Sequence, residues 1–195
     1  MTGYFARVPL AALSAVCGIF VIVSSILAAL VMNPGHDIVT HYLSDLGNSG
    51  LSAAVFNTGL IAGGVLLLPF FAGISRHMGS SVLTKSGAVL GVFSALSLIS
   101  IGLFPAAYFG DMHFFLAITF FVFAELSMVL LSMHFLVHRE SKLQGTAGLL
   151  LITFDALLLV GVSGAFVEKL LALVMAPWLL SMALNMPHER HLGKI

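Results

Sequence analysis

Three histidines and four carboxylates stand in short polar stretches between long apolar runs: His36, Asp37, His41 and Asp45, then Asp111 and His113, then Glu168. Imidazoles and carboxylates are general ligands for zinc or iron. They also serve as acid and base towards a lipid head group. His41, Ser44, Asp45 and His113 are therefore the candidate catalytic residues. His41 and His113 would act as bases or metal ligands, with Asp45 and Asp111 orienting them or completing a metal shell. The candidate metal set is His41, Asp45 and His113. Ser44, Asn48 and Asn57 would contact a polar head group. No spacing among these residues has the specificity of paired C-x-x-C motifs.

A second group lies inside apolar runs. Glu125 and Asp155 each fall near the middle of an expected span. An acidic residue there costs at least ~2.5–3.5 kcal/mol on insertion scales, so it faces protein or water. Adjacent antiparallel helices could bring the two together as a shared-proton pair, which would suit a small proton-coupled transporter; the alternative is that each is neutral and hydrogen-bonds a nearby Ser or Thr between helices. A third group, His134 and His138 with His77, offers a haem or metal site at the opposite end. His113 and His134 are 21 residues apart, roughly 31 Å along a helix, so the two histidine groups cannot form one site.

The elements that must position these groups are membrane helices. Of 195 residues, 59% are hydrophobic and 8% charged, against roughly 25% charged in soluble domains. A net charge of zero gives no nucleic-acid footprint. Cys17 is alone, which excludes an internal disulfide and a cysteine-based zinc site. A spanning helix needs ~20 mostly apolar residues. Six stretches meet or approach that length: about 8–32, 53–74, 87–104, 114–137, 146–163 and 166–186. The first is too long for a signal-peptide core and reads as a retained span. The expected architecture is an all-α bundle of six transmembrane helices forming a single domain.

Cations set the orientation. Arg7, Arg76, Lys85, Arg139, Lys142, Arg190 and Lys194 fall on one side of such a bundle, and only Lys169 on the other. Cytoplasmic loops are enriched in Lys and Arg, so both termini are expected in the cytoplasm of a cell-membrane protein. The histidine- and carboxylate-bearing loops then share the outer face. At about 100° per residue, Asp37, His41, Ser44, Asp45 and Asn48 occupy one side of residues 37–48, and Ile38, Val39, Tyr42, Leu43 and Leu46 the other. That pattern predicts a short amphipathic helix ended by Gly47 or Gly50. Gly59-x-x-x-Gly63 and Gly87-x-x-x-Gly91 permit close helix contact.

The block His41-Tyr42-Leu43-Ser44-Asp45-Leu46-Gly47-Asn48, followed by Phe56-Asn57-x-Gly59 and later Gly102-Leu103-Phe104-Pro105 with His113, resembles the domain-of-unknown-function family numbered 998. The resemblance runs from the first span through the fifth. It implies prokaryotic membrane proteins of about six spans with no established activity. It draws attention to His41, Ser44, Asp45, Gly47, Asn48, Asn57, Pro105 and His113. The Ser44-Asp45-x-Gly47 block is also distantly similar to DRAM-like and GPI-anchor-remodelling membrane families, which implies lipid handling. The leading expectation is an outer-face site that binds or modifies a lipid or another amphiphile. The alternatives are a proton-coupled transporter using Glu125 and Asp155, and a haem- or metal-binding redox protein. Membrane lipids are the expected partners, with self-association into a homo-oligomer as a further one.

Overall fold

In the computed structural model, residues 9–138, 141–161 and 164–186 are described, and among them there is helix but no strand. Six long helices follow one another: α1 (Leu10–Met32), α2 (Gly50–His77), α3 (Val82–Leu103), α4 (Ala106–Val137), α5 (Lys142–Gly161) and α6 (Ala165–Leu184). Five of them, all but α5, are long and apolar enough to cross a membrane by length and composition. Arg7, Arg139, His188, Arg190, His191 and Lys194, together with the end of the expected span 146–163, lie outside the described residues.

The helices begin and end where local chemistry requires. Ser81 accepts the Thr84 amide through its side chain at 3.1 Å and starts α3. Gly79 adopts φ 88° in the turn between α2 and α3, a conformation that costs a residue with a Cβ. Pro69 and Pro177 sit inside α2 and α6. Neighbouring helices make such prolines tolerable in membrane proteins.

Each helix packs against its neighbours in sequence, and α6 closes the ring against α1. The core holds Phe70, Ile74, Leu131, Trp178 and Met182. Large apolar side chains such as Phe20 (71% exposed) and Phe114 (67% exposed) point outward. A bundle with an apolar outside belongs in hydrocarbon, where dispersion and small-residue contacts hold helices together. Gly59 and Gly63 provide such a contact, since a Cβ on either would collide with Ser25 or Ile22 of α1.

Three elements differ from the sequence reading. Residues 37–48 do not form one amphipathic helix. Asp37 closes a turn by accepting the Val39 amide at 2.8 Å and the Thr40 hydroxyl at 2.8 Å. A single 3-10 turn follows at Leu43–Gly47. Asp and Ser side chains compete with helical backbone bonds in this way. Second, α4 begins at Ala106, so Tyr108, Asp111 and His113 stand on its first turns and not in a loop. Phe109 departs from helical geometry (φ −135°, ψ 42°) and kinks that entry. Third, Glu168 and Lys169 belong to the first turns of α6.

Candidate functional site

The 3-10 turn Leu43–Gly47 touches α1, α2, α4 and α6 and so closes one end of the ring. Its apolar residue Leu46 is fully buried. Its polar groups tie it down on every side. Asp45 accepts the Tyr42 amide at 2.8 Å and the Asn48 side-chain amide at 3.2 Å. Asn48 in turn accepts the Ala107 amide at 3.0 Å, satisfying one of the unpaired N–H groups at the start of α4. Asn57 of α2 donates to the Gly47 carbonyl at 3.0 Å. From α6, Glu168 Oε2 accepts the Leu43 amide at 2.7 Å. Lys169 donates to the His41 carbonyl and, at 3.1 Å, to that of Ala165.

His113 is buried, and its Nδ1 lies 2.8 Å from the Phe104 carbonyl. A carbonyl only accepts, so Nδ1 carries the proton and a neutral ring keeps Nε2 as its acceptor. That bond also satisfies a carbonyl at the end of α3, which has no helical partner.

Below the closed end lies an inter-helical cavity of about 160 Å³. Ser44, His113 and Glu168 line it at the 3-10 end, and Ile19, Phe56, Leu60, Phe71, Met128 and Trp178 are among its apolar walls. The lining runs along α4 from His113 to Met128, a rise of ~22 Å at 1.5 Å per residue. Residues of α1, α2, α3, α4 and α6 contribute, and none described in α5 does.

The candidate residues therefore separate. Asp45, Asn48 and Asn57 hold the 3-10 turn in place. His41 is exposed, and its Nδ1 accepts the Asp37 amide at 3.1 Å. Asp111 is exposed on α4. Among the described residues no three His, Cys, Asp or Glu side chains are placed to hold a metal ion, so His41, Asp45 and His113 do not converge. Ser44 and His113 do reach the cavity, and Glu168 joins them. Sequence reasoning placed Glu168 among the outer-face carboxylates without assigning it a role. The signal for one was its position beside Lys169, the lone cation of that face.

The neighbouring turn has its own electrostatics. Burial, with the Lys169 ammonium and the His41 ring close by, holds the His36 imidazole below its usual range. The Val39 amide and Thr40 hydroxyl hold the exposed Asp37 carboxyl below its usual range.

Glu125 and Asp155 meet across the α4–α5 seam, and among the described residues their four carboxyl oxygens find no other hydrogen-bond partner. Neither lines the cavity. Towards the other end of the bundle, His134 bonds Ser81 Oγ through Nδ1 at 2.9 Å. The His134 and His138 rings are tilted by 31° with centroids 4.3 Å apart, side by side and not opposed across an iron.

The family described as Protein of unknown function (DUF998) matches residues 16–185. The chain belongs to that family. The DUF998 match opens within α1 and closes just past α6, so it contains the 3-10 turn, the cavity and the carboxyl pair. Nothing matches among curated proteins or among solved structures.

Proposed function

We propose that this protein binds a lipid or lipid-like amphiphile in the inter-helical cavity, with the head group at Ser44, His113 and Glu168. The single observation that carries this reading is a long, mostly apolar cavity whose described lining has its imidazole and carboxyl groups, His113 and Glu168, at one end, while the Ser94 and Ser127 hydroxyls further along are spent on the Phe120 and Gly87 carbonyls. Ligand sites are concave, mostly apolar and furnished with a few convergent polar groups. The chain is read as a six-span protein with both termini in the cytoplasm, which puts the polar end of the cavity near the outer leaflet. We also read the Ser44-Asp45-x-Gly47 block as resembling DRAM-like and GPI-anchor-remodelling families, which points towards lipid as well.

The transporter alternative requires a water path to Glu125 and Asp155. Their oxygens are buried and the cavity passes them by, which counts against it. The haem alternative loses its inner histidine pair to the side-by-side geometry.

The test is native mass spectrometry of the full chain released from nanodiscs. Ala124 lines the cavity, and Ala124→Trp fills it, at an overpacking cost of ~1–3 kcal/mol that a melting curve will register. The expected outcome is a bound amphiphile in the wild type and in Asp37→Ala, lost in Ala124→Trp. An equal amount retained by a folded Ala124→Trp would sink the reading.

A further inference from the structure

The chemistry of the cavity's polar end restricts what head group it can take, and this step rests on the cavity reading above. The groups there are hydrogen-bond acceptors. His113 presents Nε2 because the Phe104 carbonyl fixes the proton on Nδ1. Glu168 spends part of its carboxyl on the Leu43 amide, and a carboxyl group has further lone pairs to offer. Ser44 Oγ makes no hydrogen bond among the described residues and can either donate or accept.

Nothing there favours an anion. Among the described residues no lysine or arginine lines the cavity. The one cation nearby, Lys169, lies outside the lining and is bound to the carbonyls of His41 and Ala165. The amides at the start of the 3-10 turn, which could otherwise receive a phosphate or carboxylate, are occupied by Asp45 and Glu168. An anionic head would face the Glu168 carboxyl, while the Lys169 ammonium stands outside the lining and spends its donors on two carbonyls; like charges brought together in a low dielectric repel strongly.

The shape restricts the tail. The lining extends ~22 Å along α4, beyond the ~15 Å that is half of a ~30 Å hydrocarbon core. Over that length the centre of a water-sized sphere can reach only about 160 Å³, so the space is slender and suits one alkyl chain abreast better than two.

We infer that the ligand is a single-chain amphiphile whose head group donates hydrogen bonds, a hydroxyl or an ammonium, with anionic heads excluded. Donors meet Glu168, His113 Nε2 and Ser44 at the closed end, and the chain lies along α2 and α4 towards Trp178.

The experiment uses the full chain in nanodiscs with four probes sharing one diazirine-bearing octadecenyl tail: a monoacylglycerol, a primary amine, a fatty acid and a lysophosphatidic acid. Crosslinked peptides are mapped after irradiation. Labelling of the cavity-lining stretches of α2 and α4 is expected from the monoacylglycerol or the amine, at least about tenfold above both anions, the worth of one charge-assisted hydrogen bond. A dominant amine assigns the contact to an ionised Glu168; a dominant monoacylglycerol assigns it to His113 and Ser44. Fatty-acid or lysophosphatidate labelling equal to or above the others overturns the head-group inference and leaves the cavity reading intact. Absence of cavity labelling by all four probes overturns both. Glu168→Lys should invert the preference, and the wild-type comparison decides the matter even where that variant fails to fold.

Discussion

Asn48 shows how a side chain suited to substrate contact can be taken up by structure. It donates to Asp45 and accepts from Ala107, so it joins the 3-10 turn to the first turn of α4. Asn48→Ala leaves that amide and one Asp45 oxygen without their partner. The expected loss is ~1–2 kcal/mol, the range of a removed helix cap. Equilibrium unfolding in a mixed-micelle denaturant series measures it, and faster proteolysis near residues 37–48 should accompany it. A variant as stable and as protected as the wild type would remove Asn48 from this role. His113 is the contrasting residue. Its buried Nδ1 bond to Phe104 is structural, yet the same bond determines which nitrogen remains for a ligand.

At the scale of elements, α4 and α5 pack as an antiparallel pair in a definite register. A Cβ on Gly148 would collide with Ser132 Oγ, and a Cβ on Gly145 would sit 2.8 Å from the Ser132 carbonyl. Seven residues from that level on each helix stand Glu125 and Asp155, two turns on and facing each other. Among the described residues neither carboxyl has a hydrogen-bonding neighbour besides the other. Asp155→Leu alone should destabilise by ~1–3 kcal/mol because it strands Glu125 without a partner. The double change with Glu125→Leu should recover most of that loss, giving a coupling of at least ~1 kcal/mol. Additive single effects would show that the two carboxyls do not act as a pair. That adjacent antiparallel helices can juxtapose Glu125 and Asp155 was legible in the sequence; that the two meet, and do not each bond a nearby Ser or Thr, was decided by the packing of α4 on α5. Their separation from the cavity was not legible either, since it depends on which faces of α4 turn inward.

At the scale of the molecule, the charge asymmetry makes a topological statement that can be measured. Cys17 is exposed on the outside of α1, so Cys17→Ala gives a background without thiols. Single cysteines at Ser80, between α2 and α3, and at Tyr108, at the start of α4, then report on opposite ends of α3. A membrane-impermeant maleimide applied to intact cells should label Tyr108→Cys and spare Ser80→Cys until the membrane is opened. The reverse pattern would invert the orientation and move the cavity's polar end to the cytoplasmic leaflet.

The sequence by itself determined that the chain is all-helical and suited to a membrane, because apolar run length and scarce charge are one-dimensional quantities. It also marked the stretch from His41 to Asn48 as the place where polar chemistry collects. Tertiary structure decided which of those groups are available. Asp45, Asn48 and Asn57 are spent on backbone partners that lie in other elements or across a turn, and no spacing along the chain reveals such partners. Glu168 enters because ring closure brings the start of α6 against residues 125 positions earlier in the chain. The helix expected over residues 37–48 gave way to turns for the same reason. Its amides are satisfied better by Asp37, Asp45 and Glu168 than by a helical ladder, and a buried backbone group takes whichever partner the fold supplies.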